Sequence, residues 1–121
     1  MAIERFEDIM AWQRARELTN KVYEVSGTGN FAKDFGLKDQ IRKAAGSVMH
    51  NIAEGFDAGS DPEFIRFLRY ARRSATEVQS QLYIALDQGY ISQAQFNEIY
   101  DLAEQCKKLI NGFIAYLRSS C

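Results

Sequence analysis

Proline is almost missing from this chain, with one among 121 residues. An all-β domain of that length would carry more turn punctuation, so sandwiches and barrels are poor fits. Cysteine is nearly as scarce, and its two copies do not look like a disulfide framework: Cys106 falls on an apolar helical stripe and Cys121 is the last residue. Both read as free thiols, which suits a cytoplasmic protein, and Cys121 is open to oxidation in vitro. Histidine occurs once, as His50, so a multi-histidine metal site within one chain is excluded. No apolar run approaches the ~20 residues of a membrane span. The first eight residues carry Glu4, Glu7 and Asp8 and no apolar stretch, unlike a secretory signal. Neither sign of charge dominates, since fifteen basic and sixteen acidic residues leave −1 and a pI near 5.8. No global attraction to a polyanion follows from that balance, although a local basic patch can still exist.

What is present is helical periodicity. Hydrophobic residues make up 46% and charged residues 26%, values of an ordinary globular domain, and the length suits one domain over residues 1–121. Apolar residues recur at spacings of three and four in four segments, about 7–25, 37–56, 61–88 and 93–118. The first, with Ala11, Ala15, Leu18, Val22 and Val25 on its stripe, ends at Ser26-Gly-Thr-Gly-Asn30. The second carries Leu37, Ile41, Ala44, Ala45, Val48, Ile52 and Phe56. Ser60-Asp-Pro-Glu63 and Ser92-Gln-Ala-Gln95 are capping-box patterns opening the third and fourth, and Pro62 sits where a first helical turn tolerates it. No segment alternates with period two. Short loops between four amphipathic helices predict an all-α, antiparallel up-down-up-down four-helix bundle.

The first helix carries more apolar surface than one stripe. At about 100° per residue, Trp12, Thr19 and Tyr23 lie off the Ala11–Ala15–Leu18–Val22 direction, and Ile9 lies farther round. Tyr70 and Tyr100 also sit off their stripes. Large aromatics can lean over a bundle edge, but the surplus together predicts a subunit interface, formed by Phe6, Ile9, Trp12 and Tyr23, and hence a homo-oligomer.

Candidate chemistry is sparse. His50 and Glu54, four apart on one helical face, could seat a metal or an enzymatic site at a subunit boundary. The Glu-x-x-His pairs of diiron bundles do not occur, Ser47 and His50 lack a legible third group, and Gly27-Thr-Gly29 lacks the rest of a nucleotide loop. No cofactor is implied. Two features stand out more. The run Arg66-Phe-Leu-Arg69-Tyr-Ala-Arg72-Arg73 holds four arginines and no acid. With Lys38, Arg42 and Lys43 it gives residues 38–73 a local excess of +2, against −1 over 1–37 and −2 over 74–121. Such a strip can bind the phosphates of RNA or DNA. It can equally be a solvated face, with Glu63 and Glu77 placed for pairs with Arg66 and Arg73. The second feature is the polar stripe Gln40, Ser47, Asn51 and Glu54 beside the apolar face of helix two, which either sets helix or subunit register or forms a ligand site. Gly46 and Gly55, costly inside a helix, suggest close approach of another backbone there or, at Gly55, a helix end.

The segments Phe6-Glu-Asp-Ile-Met-Ala-Trp12-Gln-Arg-Ala15, Gly36-Leu-Lys-Asp-Gln-Ile-Arg42-Lys-Ala-Ala45 and Ser47-Val-Met-His-Asn-Ile-Ala-Glu-Gly55 resemble the 23S rRNA-intervening sequence proteins, a four-helix-bundle family. The likeness continues through Glu63-Phe-Ile-Arg-Phe-Leu-Arg-Tyr-Ala71 and Ser74-Ala-Thr-Glu77 to Gly89-Tyr90-Ile91. It implies a small cytosolic bacterial bundle that assembles as a ring-like homopentamer. The family pattern often has a proline where this chain has Met49, so a kink in helix two should be mild or absent. The accessory protein of diversity-generating retroelements, a more distant relative similar in fold, binds nucleic acid and a reverse transcriptase. No catalytic residues carry over. The expectation is a non-enzymatic oligomeric binding or scaffold module, with RNA or DNA as one partner class, a neighbouring protein as another, and no membrane.

Overall fold

The computed structural model describes residues 3–119, and Cys121 lies outside them. The described residues form four α-helices, α1 Met10–Ser26, α2 Phe35–Phe56, α3 Asp61–Asp87 and α4 Gln93–Ser119, and no strand. The start of α1 differs from expectation. Phe6–Asp8 form a separate 3-10 turn, and Ile9 is extended at φ −76°, ψ 121°, so the helical phase begins only at Met10. The start of α2 comes earlier than predicted because Asp34 caps it, its Oδ1 accepting the Leu37 N–H at 3.1 Å. α2 continues without interruption through Met49.

The caps of α3 and α4 follow the sequence signals, with one change. Ser92 and Gln95 complete a reciprocal capping box: the Gln95 N–H donates to Ser92 Oγ at 3.1 Å and the Ser92 N–H to Gln95 Oε1 at 2.8 Å. Ser60 Oγ accepts the Glu63 N–H at 3.4 Å, but the Glu63 carboxylate turns outward and holds Arg66 at 2.8 Å.

α1 packs against α2 and α4, and α3 packs against the same two helices, which closes a four-membered bundle. Particular contacts fix how the helices lie alongside each other. Arg42, early in α2, reaches Ser26 at the end of α1; Ser74 of α3 donates to Ser47 of α2 at 3.0 Å; Gln79 of α3 donates to Glu104 of α4 at 3.0 Å; and Lys21 of α1 pairs with Glu98 of α4 at 3.3 Å. The predicted stripes face inward as one continuous core running from Ile9 to Leu117. Leu18, Ile41, Ile52, Leu68, Leu82, Ile99 and Ile110 are fully buried within it, each contributing about 1.5–3 kcal/mol of burial.

Gly55, in the last turn of α2, lies directly against α3. A Cβ there would lie 2.8 Å from Phe64 Cδ1 and 2.9 Å from Phe67 Cβ, so the expected close approach is real at this position. Gly46 differs: its nearest neighbour would be His50 Nε2 at an ordinary 3.6 Å, and no helix crowds it.

The α3–α4 turn closes with a Schellman pattern, the Tyr90 N–H reaching the Ala85 carbonyl at 2.8 Å and the Gly89 N–H that of Leu86 at 3.0 Å, with Gly89 at φ +73°. Tyr90 then stacks on Phe31 at 5.3 Å and donates its hydroxyl to Asp34 Oδ2 at 2.9 Å. That bond to a carboxylate raises the phenol above its ordinary 10.0. A group with a raised folded-state pKa contributes stability below its unfolded value and loses it as pH rises through the folded one. Tyr90→Phe should therefore lower Tm by roughly 5 °C near neutral pH, and the gap should narrow above pH 10.0. Thermal melts of both proteins across pH 7 to 11 check this.

Cys106 sits wholly inside the core, and desolvation pushes its thiol up to about 12. Thiolate is the reactive form, so alkylation of Cys106 at pH 8 should be slow and should track global unfolding. Mass-mapped iodoacetamide labelling with and without denaturant reads this directly.

Candidate functional site

The outward face of α3 follows from its own periodicity. With Phe64, Leu68, Ala71, Ala75 and Val78 buried, the side chains on the far side of the helix meet solvent. Arg66 and Arg73 are exposed there and Arg69 is half-buried. Arg66 and Arg73 flank an aromatic step: Arg66 lies 5.4 Å from the Phe67 ring and 5.7 Å from the Tyr70 ring, and Arg73 lies 5.6 Å from the Tyr70 ring. Phe67 and Tyr70 meet edge to face at 5.9 Å. Arg66 also donates to Tyr70 Oη at 3.3 Å, and its hydrogen bond to Glu63 holds the guanidinium more firmly protonated than usual. Neither Arg69 nor Arg73 forms an ion pair among the described residues, so the Glu77 pair that a solvated face would offer Arg73 is not made.

The rest of the predicted basic strip is divided among other tasks. Arg72 is half-buried and donates to Asn111 Oδ1 of α4 at 2.6 Å. Arg42 stacks on Tyr23 at 4.3 Å while Nε donates to the buried Ser26 Oγ at 2.8 Å and Nη2 to the Tyr23 carbonyl at 3.3 Å. It thus satisfies groups at the C-terminal end of α1. Lys43 pairs with Asp39 at 3.0 Å. The four arginines of the run and Arg42 are not one surface.

Arg42 and Lys43 instead border an open polar groove of about 650 Å³ along α2. It brings together Ser47, His50, Asn51 and Glu54, so three of the four stripe residues share one surface, while Gln40 is exposed outside its lining. Asn51 Nδ2 donates to both the Ser47 carbonyl and Ser47 Oγ at 2.9 Å, and Ser74 joins them from α3. Ser47 therefore ties α2 to α3, with Asn51 bonded to it along α2, and Glu54 and His50 face solvent. No group of three or more His, Cys, Asp or Glu side chains that could hold a metal ion is found among the described residues.

The predicted interface residues need one correction. Ile9 is fully buried in the protomer's own core, because it precedes the first helical turn and the 100° projection does not reach it. Phe6 and Trp12 are half-buried against each other at 5.1 Å, with Arg16 lying 6.0 Å from the indole ring. Thr19 turns to α2, donating to the carbonyls of Ala15 and Ala45 at 2.9 and 3.2 Å. Tyr23 is half exposed, but it lies under Arg42 beside the polar groove. The large apolar side chains that do stand out include Met10, Phe35, Ile84 and Tyr116, each off the predicted core stripes.

Helices alone, closed around one core with polar ties between neighbours, define a four-helix-bundle protein. The chain belongs to the 23S rRNA-intervening sequence protein family, whose model matches residues 7–112. It is also similar to a protein of unknown function from the S23 ribosomal protein family of Bacteroides thetaiotaomicron VPI-5482, known from its crystal structure. The two are 24% identical over 87% of this chain and 95% of that one, with a TM-score of 0.80, a likeness of fold. No curated protein matches the sequence. No helix among the described residues is long and apolar enough to cross a membrane.

Proposed function

We propose that this protein is a non-enzymatic, homo-oligomeric bundle of the cytoplasm, its helices antiparallel in up-down-up-down order, that binds RNA or DNA through the outer face of α3. The observation carrying the reading is that Arg69 and Arg73 have no carboxylate partner among the described residues, and that Arg73, with Arg66, flanks an aromatic step. Unpaired guanidinium groups attract phosphate without regard to sequence, and aromatic rings beside them give bases a surface to stack on. The helix contacts support the antiparallel sense: the end of α1 meets the start of α2, and Ser74 and Gln79 of α3 meet Ser47 and Glu104. Assembly multiplies a modest strip, because several copies present their α3 faces together. Five copies is the number the family resemblance implies.

Two measurements test this. Sedimentation at low salt should show a species larger than one chain. Electrophoretic mobility of a labelled oligonucleotide should fall with protein on the order of tens of micromolar, and the shift should fade as salt rises. An oligonucleotide that runs unretarded at low salt removes the nucleic-acid role.

A further inference from the structure

We infer that two copies of this chain dock head to tail, with Phe35 of one copy seated in the apolar groove between the N-terminal segment and α4 of the next. The inference rests on the homo-oligomer reading above and assigns its contact. The groove has a volume of about 360 Å³ and is lined chiefly by Ile3, Met10, Leu109, Gly112 and Phe113. A volume of ~150 Å³ already admits a benzene-sized ring. Among the described residues nothing packs on Gly112 of this lining: a Cβ there would meet no atom within 4 Å. A glycine in mid-helix disfavours the helix, and the packing of the described residues does not require one here.

Phe35 is the matching projection. It is 72% exposed, more than any other large hydrophobic side chain described, whereas Leu37 two residues on is buried. It stands at the start of α2, whereas the groove is formed by the start of α1 and the second half of α4. One copy's projection therefore cannot fill its own groove, and the contact is heterologous, able to continue from copy to copy.

Charge sets the orientation. Lys38 lies beside the Phe35 ring, its Nζ 5.2 Å from the centroid. The groove has Asp8 on the N-terminal wall and Lys108 on the α4 wall. A ring entering with Lys38 toward Asp8 gains an ion pair and keeps the two lysines apart. The opposite orientation sets lysine against lysine. Stable interfaces bury roughly 1,200–2,000 Å² in total, so the seated ring is the centre of a larger contact.

The test uses Phe35→Ser and Gly112→Trp, two changes at exposed or open positions, with helix content followed by circular dichroism. Each should raise the dissociation constant of self-association at least about ten-fold, as truncating or blocking a buried aromatic anchor does. Mixed in equal amounts, the two variants should form a heterodimer and stop there, because one intact Phe35 meets one intact groove. Asp8→Lys should weaken assembly, and adding Lys38→Asp should restore it. An oligomer unaltered by either single change, or a mixture that stays monomeric, overturns this contact while leaving the oligomer reading standing. A wild-type chain that sediments as a monomer at all concentrations overturns both.

Discussion

Gly55→Ala should destabilise the fold by about 1–2 kcal/mol, with Tm lower by roughly 5–10 °C. The magnitude comes from two opposed effects. Alanine in place of glycine favours a helix by up to about 1 kcal/mol. Against that, the new methyl would lie under 3.0 Å from Phe64 Cδ1 and Phe67 Cβ, and Phe67 Cβ cannot move without moving the α3 backbone. Phe64 is held as well, between Phe56 at 6.2 Å and Phe113 at 5.2 Å. Overpacking of this kind costs about 1–3 kcal/mol. The control lies in the same helix: Gly46→Ala, with its nearest contact at 3.6 Å, should be neutral or stabilising by up to about 1 kcal/mol. Urea or thermal unfolding of the two variants should give shifts of opposite sign. Equal shifts would mean that helix propensity, and not the α2–α3 approach, decides at Gly55.

Replacing Arg66, Arg69 and Arg73 together by alanine should weaken nucleic-acid binding on the order of 10–100-fold at low salt. The plot of log affinity against log salt should become shallower by about 2–3. The loss should be similar for different sequences, since phosphate contacts carry no sequence information. Folding should be little changed, because Arg66 and Arg73 are exposed and their ring contacts lie on the outer side of α3. Arg72→Ala should act otherwise. It removes the bond to Asn111 that links α3 to α4, so it should lower Tm and leave the salt slope near that of the wild type. If the triple variant keeps the wild-type slope, the α3 face is not where phosphate binds.

These two cases also show what could be read from the sequence. The stripes, the Ser60 and Ser92 caps and the close packing at Gly55 are legible because they depend on spacing within one helix or on a motif a few residues long. The arginine run was legible as a run, but its division was not. Arg72 faces Asn111, thirty-nine residues away, and Arg42 faces Ser26, partners that only the packing of whole helices supplies. Ser74 joining the Ser47–Asn51 pair across twenty-seven residues is the same case. Ile9 escaped for a local reason, since a 3-10 turn and an extended residue reset the phase before α1. Phe35 lies two residues before the second predicted segment because the Asp34 cap has Leu37, and no Glu or Gln, three residues on, so no capping box marks it.

Asp34 has a further consequence. One of its carboxylate oxygens caps α2 and the other holds Tyr90, fifty-six residues along the chain. The first turn of α2, the Phe31 segment and the α3–α4 turn therefore share one side chain. Opening any of them should expose the others, so this end of the bundle should fray as a single unit, with amide exchange in the two connections coupled despite their distance in sequence.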